Sequence, residues 1–212
     1  MIKVIILDLW GTLVENGVWS PIKQVKNILG IKSPFSEYVV RMERAMMTEK
    51  YPTLKEAFEN ICKEFNVECE QEKIEMLIGM WNKSWMLARP YEEAMEELRK
   101  LGEKYKLVLV SNTDCFSVNQ VLDKFKMREF FDNIFLSYEV HLIKTDKNFL
   151  KTVLDDIGYN VEECVIVGDS IQSDMVAAKR LGMKAILVDR KNTRDFHPKI
   201  KNLKELEKAL EF

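Results

Sequence analysis

Short apolar runs closed by polar residues recur along the chain, separated by stretches whose apolar positions follow helical spacing, and this alternation limits the fold more than any other feature. Strands are predicted at Lys3 to Leu9, Lys106 to Ser111, Asn133 to Ser137, Cys164 to Gly168 and Lys184 to Asp189. Each centres on a short apolar run, as a strand covered on both faces must, and intervening helices supply that cover in a parallel sheet. One helix is predicted with Pro90 in its first turn, running through Tyr91, Ala94, Met95, Leu98 and Leu101 to Gly102. Phe149, Leu150, Val153, Leu154 and Ile157 mark a second, ending at Gly158. Met175, Ala177, Ala178 and Leu181 mark a third, closed by Gly182, and Leu203, Leu206 and Leu210 a fourth.

The rhythm breaks between Glu15 and Arg89, which holds three or four amphipathic helices and no convincing strand. Ile22, Val25, Ile28, Leu29, Tyr38, Val39, Met42, Met46, Phe58, Ile61, Phe65, Leu77, Ile78, Trp81 and Trp85 are its apolar positions and are expected to pack a small bundle of their own. The expected fold is therefore α/β: a Rossmann-like parallel sheet core with helices on both faces, formed by residues 1–14 and 89–212, plus a small inserted helical domain at 15–88.

Composition narrows the partners. With 34 acidic against 32 basic residues and a formal charge of -2, the chain has no electrostatic footprint for nucleic acid. No apolar run approaches a membrane span, and the opening Met1 to Leu7 meets Asp8 too soon for a signal peptide. Cys62, Cys69, Cys115 and Cys164 form neither a C-x-x-C pair nor a metal-ligand spacing. Free thiols in a cytoplasmic protein are expected.

Ligands of an open parallel sheet bind beyond the carboxyl ends of its strands, so the polar residues closing the apolar runs are the candidates for chemistry. The first run ends in Asp8-Leu9-Trp10-Gly11-Thr12, a carboxylate followed by a turn whose amides suit an anion. The second ends in Ser111-Asn112-Thr113; Lys144 precedes a helix; Gly168-Asp169-Ser170, with Asp174 further on, adds two carboxylates. Any one of these alone is as readily structural.

Their order, and the helical insertion after the first, resembles the haloacid dehalogenase-like superfamily, whose motifs are D-x-D-G-T, a Ser or Thr, a Lys and an acidic pair. The resemblance implies that Asp8 is a nucleophile that becomes covalently modified. Gly11, Thr12, Ser111 and Asn112 then hold a phosphoryl group and Lys144 neutralises it. Mg²⁺ lies between Asp8, the Trp10 carbonyl, Asp169 and Asp174, the last directly or through water. It also implies that residues 15–88 form a mobile cap, and that the substrate is a small phosphorylated metabolite.

One position departs from the pattern. Phosphatases of the superfamily carry a second Asp two residues after the nucleophile as general acid and base, and here that residue is Trp10. Indole cannot carry a proton in that role, so about 10²- to 10⁴-fold in rate is missing or comes from elsewhere. Asp114, Glu15 and Asp146 are the candidate substitutes. An aromatic residue at this position also matches the 2-haloacid dehalogenases, in which Arg41 or Arg44 would hold the halide or the substrate carboxylate. A catalytically impaired relative that binds a phosphorylated ligand is the remaining alternative. His141, His197 and Cys115 are expected to be structural or solvent-exposed, and Trp81, Trp85, Met46 and Met47 to be packing residues.

Overall fold

The computed structural model describes residues 1–211. Chain order begins with β1 (Val4–Leu7) and β2 (Val14–Glu15), followed by α1 (Pro21–Ile28), α2 (Phe35–Met47), α3 (Leu54–Phe65) and α4 (Gln71–Met86). Next come β3 (Arg89–Pro90), α5 (Ala94–Gly102), β4 (Lys106–Ser111), α6 (Val118–Lys124), β5 (Asn133–Leu136) and α7 (Ser137–Val140). The chain closes with α8 (Phe149–Ile157), β6 (Cys164–Gly168), α9 (Val176–Leu181), β7 (Lys184–Val188), β8 (Lys199–Ile200) and α10 (Leu206–Ala209).

Six strands form one parallel sheet in the order β5-β4-β1-β6-β7-β8. The chain builds outward from β1 through β4 to β5, then crosses back to place β6 on the other side of β1. This reversal is where a doubly wound sheet opens a crevice at its carboxyl edge. Register puts Leu7 opposite both Leu109 and Val167, so β1, β4 and β6 end side by side.

Period-two alternation sorts the strand side chains between two apolar clusters. Ile5, Leu7, Leu107, Leu109, Val165 and Val167 face α5, α6 and the C-terminal segment. Val4, Ile6, Val108, Val110 and Ile166 face α8 and α9. This sheet with helices on both faces is the expected class.

Helices α1 to α4 enclose a third cluster around Tyr38, Met42, Phe58 and Trp81, with the Phe58 and Trp81 rings edge to face at 5.8 Å. Thr53 caps the start of α3, its Oγ1 accepting from the Glu56 amide, and Asn66 closes it at φ 50°. Trp85 departs from the expected bundle and packs against the core cluster instead.

The differences from expectation sit where short-range polar geometry wins over periodicity. Pro90 opens no helix: it pairs with Val14 in a two-stranded antiparallel ribbon, β2 with β3, where an edge strand loses nothing by its missing N–H. Helix α5 starts at Ala94. The ribbon brackets the helical insertion, and the Tyr91 amide donates to the Leu13 carbonyl beside it. The third expected helix begins with a π-turn at Ile171–Met175, and the fourth is a 3₁₀ turn, Leu203–Glu205, followed by the four-residue α10. Among the described residues, no helix is long and apolar enough to cross a membrane.

Ile6 is fully buried in the centre of the sheet. Ile6→Ala is expected to lower unfolding free energy by about 2–5 kcal/mol in urea titration, through lost burial and the cavity left behind; a loss under about 1 kcal/mol would mean that this layer is not close-packed.

Candidate active site

Asp8 follows β1 directly, its amide donating to the Val167 carbonyl of β6 at 2.9 Å, so the backbone of two strands fixes its position. The residue is 5% exposed and both carboxylate oxygens are engaged. Oδ1 accepts from Lys144 Nζ at 2.7 Å and Oδ2 from Thr12 Oγ1 at 3.0 Å. Lys144 donates a second bond, to Asp174 Oδ1.

Burial alone would drive the Lys144 ammonium towards neutrality, but the Asp174 and Asp8 carboxylates outweigh it and hold the pKa above its ordinary value. The two carboxylates thus favour the charged form of Lys144 in the cleft. The π-turn has one residue more per turn than an α-helix at the same place. It positions Asp174, whose Oδ2 accepts from the Ser170 amide at 3.0 Å.

Asp8, Asp169 and Asp174 each present an oxygen within 4.8 Å of the others. Burial and then mutual repulsion raise Asp169 to about 8, while Asp8 is raised to about 6, by burial first, with Lys144 pulling it back. Crowded carboxylates of this kind suit a hard divalent cation with oxygen ligands. The backbone makes room for the arrangement: Gly11 has φ +81°, and a Cβ there would lie 2.4 Å from Asp169 Oδ2.

A cleft of about 850 Å³ opens above these groups, between the sheet's carboxyl edge and the helical insertion. Asp8, Trp10, Gly11, Asn112, Lys144, Asp169 and Asp174 line it, whereas Ser111 and Thr12 are fully buried and do not. Ser111 Oγ is buried and has no hydrogen-bond partner, a cost that a ligand oxygen reaching it would remove. The Asn112 side chain is committed within the protein. Oδ1 accepts from the Lys144 amide at 2.8 Å, and Nδ2 donates to Ser173 Oγ at 3.1 Å and to Glu43 Oε2 at 2.7 Å. Trp10 turns its Nε1 to Thr113 Oγ1 at 3.2 Å.

Two of the three candidate substitutes for the missing acid are consumed. Asp114 accepts from the amides of Phe116 and Ser117, from Ser117 Oγ and from Trp81 Nε1 of the insertion, so it ties α4 to the core. Asp146 pairs with Arg44 and caps the Ile143 amide. Glu15 remains, exposed on β2 at the side of the cleft.

The carboxylate that sequence reasoning missed is Glu43. Val39, Glu43 and Met47 recur every four residues on α2, form one stripe, and all line the cleft. A single acid interrupting an apolar stripe was the available signal. Lys23, Lys191 and Arg194, also on the wall, were missed as well.

Arg41 is turned away, bound to Glu37 and Glu64 and stacked on Phe65. Trp81, Trp85 and Met47 line the cleft besides packing, and Met46 is core. His141 is exposed against the Thr48 carbonyl, and His197 is exposed. Cys115 is half-buried with its thiol raised by burial, and all four cysteines are free.

The sequence model of haloacid dehalogenase-like hydrolases matches residues 5–188. The chain belongs to that family. As a dehalogenase-like hydrolase it is similar to the glyceraldehyde 3-phosphate phosphatases of Methanocaldococcus jannaschii, at 28% identity over 89% of this chain and 85% of the relative, and of Methanothermobacter thermautotrophicus, at 26% over 89% and 86%. Its fold is similar to that of L-2-haloacid dehalogenase from Xanthobacter autotrophicus, with TM-score 0.67, 16% identity and coverage of 100% and 99%. It is also similar to that of a family enzyme from Bacteroides thetaiotaomicron in complex with magnesium and inorganic phosphate, with TM-score 0.60, 23% identity and coverage of 93% and 98%.

The carboxylate cluster predicts an unusual pH dependence in chelator. Native Asp169 and Asp8 keep protons up to about 8 and about 6, against 3.8 when unfolded. Between those values the native state binds more protons, so metal-free stability rises as pH falls from about 8 towards about 4. Asp169→Asn is expected to raise the metal-free Tm near pH 8 and flatten this slope; a lower Tm at that pH would contradict the repulsion.

Proposed function

We propose that this hydrolase is a Mg²⁺-dependent phosphatase acting on a small phosphorylated metabolite in the cytoplasm, through an aspartyl-phosphate on Asp8, beneath a cap formed by residues 15–88. The observation that carries the reading is the convergence of Asp8, Asp169 and Asp174, two of them paired with the buried Lys144 ammonium, with the unpartnered Ser111 Oγ at the end of the adjoining β4. The two phosphatase relatives and the family enzyme bound to magnesium and phosphate support it.

In this reading Asp8 Oδ attacks phosphorus and the ester oxygen leaves; water then attacks the same phosphorus and releases phosphate and free Asp8. Lys144 keeps Asp8 ionised despite its burial and balances the charge of the incoming group. Ser111 Oγ donates to a phosphoryl oxygen, and Gly11 and Thr12 form the turn against it. Asn112 places Lys144 through its backbone rather than contacting phosphate with its side chain. Asp8, the Trp10 carbonyl and Asp169 would hold Mg²⁺, with Asp174 binding directly or through water. When bound, the ion offsets the carboxylate repulsion and draws charge from the phosphoryl oxygens.

Dehalogenation has Trp10 in its favour and the cleft against it. A 2-haloacid carboxylate would face Asp8, Asp169, Asp174 and Glu43, while Arg41 points elsewhere and Arg44 is bound to Asp146.

Phosphate release from p-nitrophenyl phosphate and from a panel of small phosphate esters tests the proposal. Activity is expected to require Mg²⁺, to vanish in chelator and to fall by at least about 10³-fold in Asp8→Asn. Activity unaffected by that substitution, or chloride release from 2-chloropropionate in its place, would overturn it.

A further inference from the structure

The phosphatase reading leaves a chemical gap: the departing alcohol needs a proton and the attacking water must lose one, yet position 10 is an indole. We propose that Glu43, carried into the cleft by α2 of the insertion, is the catalytic acid and base of the two steps. This assignment rests on the phosphatase reading.

The cleft acids can be taken in turn. Asp8 is the proposed nucleophile, and Asp169 and Asp174 belong to the cation site. Asp114 has four donors on its two oxygens, and protonating it would break the link to Trp81. Glu15 sits exposed on the two-residue β2.

Glu43 is half-buried and held. Oε2 accepts from Asn112 Nδ2 at 2.7 Å, and Asn112 Oδ1 accepts from the amide of Lys144, whose Nζ grips Asp8. The acid and the nucleophile are thus positioned through one shared pair of residues, although they belong to different parts of the chain. Oε1 makes no hydrogen bond among the described residues and remains for a ligand.

The groups facing Glu43 set its affinity for a proton. Burial, the largest influence, pushes it up, with Asp174 and Asp8 of the core adding to that; Lys144 and the Asn112 bond pull it back, leaving it at about 7. A carboxyl there exchanges its proton near neutral pH, as one group serving both steps must.

The atoms balance without any further reactant. In the first step the Asp8 Oδ–P bond forms, the P–O bond to the leaving group breaks, and that oxygen takes the Glu43 proton. In the second, the Glu43 carboxylate takes a proton from water as its oxygen bonds to phosphorus and the P–O bond to Asp8 breaks. Glu43 ends protonated and Asp8 ionised.

Leaving-group dependence separates a proton-transfer role from a structural one. Glu43→Gln keeps an oxygen able to accept from Asn112 but has no proton to exchange. With glycerol phosphate, whose alkoxide leaves badly, kcat is expected to fall by about 10²- to 10⁴-fold. With p-nitrophenyl phosphate the first step needs little acid help, so the variant is expected to show a burst of p-nitrophenol followed by slow turnover. Its pH profile is also expected to lose the limb near neutrality, and Glu43→Asp to recover part of the rate.

Wild-type kcat on glycerol phosphate retained within about 3-fold in Glu43→Gln, with an unchanged pH profile, would overturn the assignment, as would the full loss appearing in Glu15→Gln instead. If Asp8→Asn abolishes turnover in the same series, such a result removes the role of Glu43 and leaves the phosphatase reading standing. If wild type turns over neither ester, that reading falls and the assignment falls with it.

Discussion

A lysine ammonium with 3% of its side chain exposed, donating to two aspartates, organises the cleft end of this molecule. Burying a charge of this kind is tolerable only when it is paired and its remaining protons are satisfied. Two separate segments pair with the Lys144 ammonium, the end of β1 through Asp8 and the π-turn after β6 through Asp174, while Asn112 at the end of β4 holds the backbone amide of the same residue. The reversal of strand order at β1 and β6 makes this convergence possible, and the helices on both faces keep water from the layers below.

Seen from the lysine, other details take on a function. The π-turn aims Asp174 back at the ammonium, and Gly168 lacks a Cβ that would otherwise sit 2.2 Å from Asp174 Oδ2. Gly11 makes the same kind of allowance for Asp169. Arg194 holds the end of this arrangement from outside, donating to the Asp169 and Val188 carbonyls and pairing with Asp189. The insertion joins through polar contacts near the cleft: Glu43 with Asn112, Trp81 with Asp114, and Arg44 with Asp146. Its own apolar cluster is separate, so these polar contacts link that cluster's helices to the sheet around the cleft.

Much of this was legible in the sequence because it follows from periodicity. All five long strands follow from apolar runs, and among the polar residues at or beyond their ends Asp8, Lys144, Asp169 and Asp174 line the cleft. The β2–β3 ribbon was not legible, because two-residue strands carry no period, and Pro90 fits a first helical turn as well as an edge strand. Neither was the commitment of the Asn112 side chain, which depends on a partner 69 positions away. Glu43 was hidden for a related reason: on a helix with Glu37, Arg41 and Arg44 it reads as one more surface charge, and only packing shows which charge faces inward.

The central claim is that Asp8, held ionised by Lys144, is the atom to which the phosphoryl group transfers. A crystal structure grown with Mg²⁺ and beryllium fluoride, which joins a nucleophilic carboxylate as a phosphoryl mimic, tests it most directly. The account predicts beryllium bonded to Asp8 Oδ, with its fluorides meeting Ser111 Oγ and Lys144 Nζ. Beryllium on another carboxylate, or an Asp8 still bound to Lys144 with the fluoride complex elsewhere in the cleft, would contradict it.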